Sequence, residues 1–245
     1  MRLKKMSFFI SLLLICSATF SQKKMYKEKN LFGFAVNVGP GSFADAFSWS
    51  HYHGIDKNKR FKIGYGLRLT NFFGSDQNFM TAPAKYTSGK SSLAALFSEN
   101  IVANIDTISF SKVQVNSLNA GVYLSYLLPF WQNKFELGVN IDVVGFSFGA
   151  RQNALYKGNT VSAKPTSLSL LLISDSDIGS LNSEWHVNYW ATSRLAIKAG
   201  YEFLFTEYTT DNKVQHIPNT TETNDRFRLK SRMILLGVLY APFRK

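Results

Sequence analysis

Apolar and polar residues alternate with period two in a series of separate segments, and this pattern commits the chain to β-strands. From Phe61, the residues Phe61, Ile63, Tyr65, Leu67 and Leu69 share one face, and Lys62, Gly64, Gly66, Arg68 and Thr70 share the other. From Phe135, Leu137, Val139, Ile141 and Val143 oppose Glu136, Gly138, Asn140 and Asp142. From Leu195, Ile197, Ala199, Tyr201, Phe203 and Phe205 oppose Ala196, Lys198, Gly200 and Glu202. From Phe227, Leu229, Met233 and Leu235 oppose Arg226, Arg228, Lys230 and Arg232, with Ser231 as one break. Weaker runs are Phe32 to Val38, Asp45 to His53, Leu118 to Tyr126, and Trp185 to Tyr189, where Glu184, His186 and Asn188 form the polar face.

The links between these runs alternate in length. Gly54 to Lys59, Pro129 to Lys134 and Thr192 to Ser193 are short, whereas Gly74 to Asn104, Gln152 to Ser183 and Thr210 to Asp225 are long. Short turns on one side and long loops on the other fit an outer-membrane barrel, with the Gly39 to Ala44 link assigned to the loop side. An even strand number puts both barrel ends on the short-turn side. The expected fold is all-β, a transmembrane antiparallel up-and-down barrel of about eight strands.

A soluble sandwich or lipocalin-like barrel also alternates, but it hides its apolar face. The polar faces here mix long charged residues with Gly64, Gly66, Gly138 and Gly200. A narrow lumen needs that mixture, because small residues make room for large ones. A watery surface has no use for mid-strand glycines, which cost roughly 0.5–1 kcal/mol each. Aromatics make up 15% of the chain and charged residues only 18%, against about 25% charged in soluble domains. That balance suits an outer surface in lipid with aromatic girdles.

Residues 1–21 read as a signal peptide. Arg2, Lys4 and Lys5 precede the apolar run Met6 to Ile15, and Thr19 and Ser21 suit cleavage before Gln22. Residues 22–30 then form a periplasmic tail, and 31–245 the barrel. The apolar run is shorter than the roughly 20 residues a membrane helix needs. The single cysteine, Cys16, lies in the leader after bulky Ile15, a poor lipidation site. Cleavage leaves no thiol for a disulfide, a thiolate metal site or a nucleophile. It also removes three of the 28 basic residues, which still outnumber the 16 acidic ones. They are scattered, apart from Lys23, Lys24, Lys27 and Lys29, so nucleic acid is not an expected partner. Outer-membrane lipid and lipopolysaccharide are, together with an envelope protein partner.

The stretches Gly179 to Trp185, Lys198 to Thr210 and Phe135 to Gly149 resemble small outer-membrane β-barrel proteins of Bacteroidetes. The resemblance implies an exported barrel in the cell outer membrane and carries no activity. The last run ends in Tyr240, Pro242 and Phe243, similar to the aromatic assembly signal of such barrels, with Arg244 and Lys245 following.

Lys62, Arg68, Glu136, Asp142, Lys198, Glu202, Arg226, Arg228, Lys230 and Arg232 are the candidate lumenal charge network. Both signs are present, so a paired plug is favoured over an open pore, because an unpaired buried charge costs several kcal/mol. His51 and His53 share a strand face but have no visible third ligand. Asp175, Asp177 and Glu184 alternate beside Gly179 and only partly match a calcium loop. Ser183 lies opposite Glu184 and His186, and Ser50 opposite His51, so neither forms a hydrolytic set. Phosphate-loop, CxxC and HExxH motifs are absent, and neither a cofactor nor a catalytic residue is expected. The apolar runs Leu93 to Phe97 and Leu168 to Ile173 interrupt the long loops, and a short helix fits after Ser92. The expected role is non-enzymatic, an envelope structural or interaction role through long outer loops. The alternatives are lateral passage of a small hydrophobic molecule, an accessory part of a secretion machine, and a lipid-modifying enzyme.

Overall fold

The computed structural model describes residues 29–90, 99–172 and 177–242. Eight strands form a closed antiparallel ring in chain order. They are β1 (Asn30–Gly39), β2 (Ser42–Gly54), β3 (Phe61–Thr81), β4 (Thr107–Leu127), β5 (Phe135–Phe148), β9 (Leu181–Trp190), β10 (Leu195–Thr210) and β13 (Arg226–Tyr240). β1 closes the ring on β13, from Phe32 opposite Tyr240 to Val38 opposite Ile234. Short turns join the strands at the lower end, and the longer segments lie at the upper end, as the sequence predicts. No helix among the described residues is long and apolar enough to cross a membrane.

The lower half of the ring is apolar outside. Phe47, Tyr65, Leu67, Leu137, Trp185, Ile197, Ile234 and Leu236 are all exposed. Lys62, Arg68, Glu136, Asp142, Lys198 and Glu202 point inward, and all but Lys62 are buried. Residues without side chains make room for them. An added Cβ at Gly138 would stand 2.1 Å from His186 Nε2, and one at Gly66 2.9 Å from the Tyr123 ring.

β3 and β4 have 21 residues each, about twice the 9–11 that cross a bilayer. The start of the predicted Gly74–Asn104 loop, Gly74 to Thr81, is therefore strand. Above Leu69 and Leu118 the outward residues turn polar, with Asn71, Ser75 and Asn78 in β3 and Asn116, Gln114 and Lys112 in β4. Phe73 departs from this and packs on Phe43, ring centroids 6.3 Å apart. At the same level the inward phase shifts by one residue in both strands. Ser75 and Asp76 are exposed side by side, as are Ser111 and Lys112, and Asp76 has φ 52°. Beyond this kink Phe79 and Ile108 face inward as a pair.

The predicted Gln152–Ser183 loop also contains strands, β6 (Gln152–Tyr156), β7 (Asn159–Pro165) and β8 (Leu168–Leu170). The β6–β7 hairpin bridges two ring strands, with Leu155 opposite Ser109 of β4 and Pro165 opposite Tyr208 of β10. On the far side Phe227 of β13 pairs directly with Thr81 of β3, above the short β1–β2 hairpin. β3, β4, β6, β7, β10 and β13 thus close a second, six-stranded ring on top of the first. Its interior is apolar and includes Phe79, Ile108, Phe110, Ala154, Tyr208 and Phe227, all buried. Phe79, Phe110 and Tyr208 stack with centroids 4.7 to 5.5 Å apart. The lower ring is apolar outside and polar inside, and the upper ring is the reverse.

This reversal corrects the predicted orientation of β13. Phe227, Leu229, Met233 and Leu235 point into the two interiors, and Ile234, Leu236, Val238 and Tyr240 form the outward apolar face. The wall above Ile141 is completed by β8, whose Leu168 and Leu170 pair with Phe146 and Val144. A small hairpin of β11 (Gln215–His216) and β12 (Thr223–Asn224), and the single helical turn α1 (Ala84–Thr87), lie over the top.

Candidate functional site

The lumen of the lower ring is built in layers. Nearest the lower end, Leu31, Tyr52, Tyr123, Trp190 and Leu239 form an apolar floor. Against it Lys62 Nζ meets Glu136 Oε2 at 2.8 Å, and Trp190 Nε1 donates to the same oxygen at 3.2 Å. These side chains meet because β3, β4, β5 and β9 are adjacent, with the even-numbered residues of β3, β5 and β9 and the odd-numbered ones of β4 turned inward.

The middle layer centres on Arg68. Its Nη1 stands 3.2 Å from Glu184 Oε1 and 3.8 Å from Glu202 Oε1, and its Nε 3.7 Å from Asp142 Oδ1. Lys198 Nζ donates to Glu184 Oε2 at 2.5 Å, and Asn140 Nδ2 donates to that oxygen at 2.8 Å. The neighbouring layer is made of amides. Asn119 Nδ2 donates to Asp142 Oδ2 at 2.9 Å, and Asn182 Nδ2 donates to Thr70 Oγ1 at 2.8 Å. Burying these charges is tolerable because each carboxylate has a cation or an amide donor close by. The arrangement fills the ring with ion pairs and amides, below the apolar interior of the upper ring.

Six of the predicted lumenal residues, Lys62, Arg68, Glu136, Asp142, Lys198 and Glu202, are brought together in this way. Four are not. Arg226 and Arg228 lie on the opposite face of β13 from buried Phe227 and meet Glu207 of β10. Arg226 Nε donates to Glu207 Oε1 at 2.7 Å, and Arg228 Nη2 to Oε2 at 2.9 Å. Both guanidinium groups also reach the Asp177 carbonyl. Lys230 and Arg232 are exposed on the outer surface, with Lys230 Nζ 5.5 Å from the Phe205 ring. Their alternation is real, but it lies above the apolar band, where the outward face meets water.

Glu184 is the hub that the sequence reading left out of the network. Its alternation with His186 and Asn188 was the available signal. The calcium candidates do not assemble around it. Glu184 belongs to the lumen, Asp177 Oδ1 accepts from Leu172 N at 2.7 Å, and Asp175 lies outside the described residues. Among the described residues there is no cluster of three or more His, Cys, Asp or Glu side chains fit for a metal. Ser183 sits opposite Phe203 and Ile141 on the outward face, away from His186. Ser50 points inward and His51 outward. His51 Nδ1 lies 2.9 Å from Asn30 Oδ1, and the His51 ring packs 4.8 Å from His53 and 5.5 Å from Tyr65. Leu168, Leu171 and Leu172 are exposed beside β5. Residues 1–28, the Leu93–Phe97 run, Ile173 and residues 243–245 lie outside the described residues.

Three surface ion pairs hold the upper segments. Lys157 Nζ meets Asp106 Oδ2 at 2.9 Å, Lys85 Nζ meets Glu222 Oε2 at 2.8 Å, and Arg151 pairs with Asp211. The hydrogen bond from Lys85 holds the Glu222 carboxyl below the usual carboxylate range, and the same bond raises the Lys85 ammonium. Burial, then the hydrogen bond to Asp106, pushes the Tyr156 phenol up.

On the outside of the lower ring, a groove of about 540 Å³ runs across β4, β5, β9 and β10. Leu137, Val139, Trp185, Val187 and Tyr201 wall it, and the small outward side chain of Ala199 leaves it open between them.

No family model and no curated protein matches the chain. Among solved structures it is similar to Neisserial surface protein A, at 10% identity over 87% of this chain and 94% of that one, with a TM-score of 0.37. It is also similar to Ail, the attachment invasion locus protein of Yersinia pestis, at 10% identity over 87% and 98%, with a TM-score of 0.33. One Ail structure is a complex with the heparin analogue sucrose octasulfate. At these values the eight-strand assignment rests on the strand pairing of this chain.

Proposed function

We propose that this chain is an exported outer-membrane barrel with a sealed lumen, serving as a non-enzymatic platform that presents its upper ring outside the cell. Residues 1–21 act as the signal peptide and residues 22–30 as a periplasmic tail in this reading. The observation that carries it is the inversion between the two rings. An apolar belt suits hydrocarbon outside the lower ring, and an apolar core suits water outside the upper one. The two interiors are filled in different ways, by ion pairs below and aromatic packing above, which supports a plug over a pore. The rigid strands β3, β4, β6, β7, β10 and β13 then hold up an outer surface suited to lipopolysaccharide or an envelope protein partner.

The test is reconstitution into liposomes with an entrapped small solute, followed by co-purification from cells in mild detergent. Solute release no faster than from empty liposomes, with recovery of a specific envelope component, supports the reading. Steady release of solute through the wild-type protein overturns the sealed platform. A processed chain that stays monomeric in water without detergent overturns the membrane placement.

A further inference from the structure

Taking the membrane placement as given, we infer that the outer groove and the lower rim beneath it form a site for one anionic phospholipid of the periplasmic leaflet. Its acyl chain lies in the groove and its phosphate on Arg60 and Lys134.

Two independent features point to this occupant. The first is the groove itself. Its volume of about 540 Å³ falls in the range of true ligand pockets, about 300–1,000 Å³. It is lined almost wholly by apolar atoms, and Trp185 and Tyr201, a directly opposed pair on β9 and β10, stand along it. Ala199, an outward position where neighbouring strands carry large side chains, is what makes it concave.

The second is charge. Among the described residues, the lower turns and the start of β1 carry Lys29, Lys57, Lys59, Arg60, Lys134 and Arg194 against one acid, Asp56. Asp56 is used within its own turn, accepting from Phe61 N at 2.7 Å and Asn58 N at 3.1 Å. Arg60 directly precedes Phe61, which lines the groove, and the Arg60 carbonyl accepts from Leu127 N beside Tyr126, another lining residue. Arg60 Nε is buried without a hydrogen-bond partner among the described residues. Lys134 immediately precedes β5, three residues below Leu137, and its carbonyl accepts from Trp190 N. An apolar slot above a basic rim matches a hydrocarbon chain joined to a phosphate. Ordinary annular lipid, by contrast, needs no charge.

The test uses the full mature protein in bilayers containing either brominated phosphatidylglycerol or brominated phosphatidylcholine. Quenching of Trp185 is read as the difference from the Trp185→Phe variant. Phosphatidylglycerol should quench more strongly at equal mole fraction, and the preference should fall about fivefold for each cation lost in Arg60→Gln and Lys134→Gln. Ala199→Phe, which fills the slot, should remove the excess quenching. Unheated gel mobility checks that each variant is folded. Equal quenching by both lipids overturns the inference and leaves the membrane placement standing. So does a phosphatidylglycerol preference that survives both rim substitutions, or one unchanged in Ala199→Phe. Failure of either lipid to quench Trp185 overturns the membrane placement, and the inference with it.

Discussion

Lys198 Nζ lies 2.5 Å from Glu184 Oε2, in a lumen where both side chains are almost fully buried. They sit on neighbouring strands, two rungs apart, and Arg68 approaches the other Glu184 oxygen from across the ring. Removing Glu184 leaves two buried cations short of their shared partner. Breaking such a buried set costs about 3–5 kcal/mol. Glu184→Ala should therefore lower the urea midpoint of unfolding in detergent micelles sharply, and Glu184→Gln should do so less. A midpoint unchanged in both variants would show that the lumenal pairs are not holding the ring.

Gly138 faces the His186 ring so closely that any side chain displaces it. Gly138→Val should abolish the compact form seen on unheated gels. His186→Ala in the same chain should restore part of it, because the imidazole is the group in the way. A rescue that fails would locate the fault in the backbone.

Phe110 is buried at the centre of the upper ring and stacks on both Phe79 and Tyr208. Phe110→Ala should destabilise that ring by about 3–5 kcal/mol. The lower ring has a separate interior, so the compact gel form should persist while proteolysis of the upper segments speeds up. Equal sensitivity of both rings would mean that they unfold as one unit.

The Lys85–Glu222 contact ties α1 to the β11–β12 segment. Because the folded carboxyl titrates below its free value, this contact contributes fully above the ordinary value of 4.5 and is lost as the pH falls through the lowered one. The raised Lys85 ammonium sets the opposite limit far above neutrality. The pair is exposed, so the effect is small and local. Amide protection factors at residues 84–88, which remove the intrinsic pH dependence of exchange, should fall on acidification, and in Lys85→Met they should already be low at pH 7. A pH-independent protection factor in the wild type would rule the contact out as the tether.

The lower ring was legible in the sequence because its two faces differ, an exposed apolar outside and a crowded polar interior, and that contrast imposes a strict period of two. Legibility failed where the rule of burial changes. In β3 the alternation that starts at Phe61 slips at Ser75 and Asp76, so Phe79 no longer reads as part of the same strand. In β13 both faces carry apolar residues, Met233 and Leu235 inward beside Ile234 and Leu236 outward, so alternation alone cannot choose between them. The basic run Arg226 to Arg232 suggests a lumen, but Arg226 and Arg228 pack on Glu207 outside it and Lys230 and Arg232 are exposed. Glu207 had no signal at all, since its burial depends on the distant segment that carries Asp177.

Pairing of Phe227 with Thr81, Ser109 with Leu155, and Pro165 with Tyr208 draws the upper ring from the first third, the middle and the last strand of the chain. No partial chain can therefore shield Phe79 and Phe110 from water. During biogenesis this storey can be finished only after the final strand has been threaded, so its closure doubles as a proof that assembly is complete. A stalled intermediate would display greasy aromatics to its surroundings, where a protease could find them.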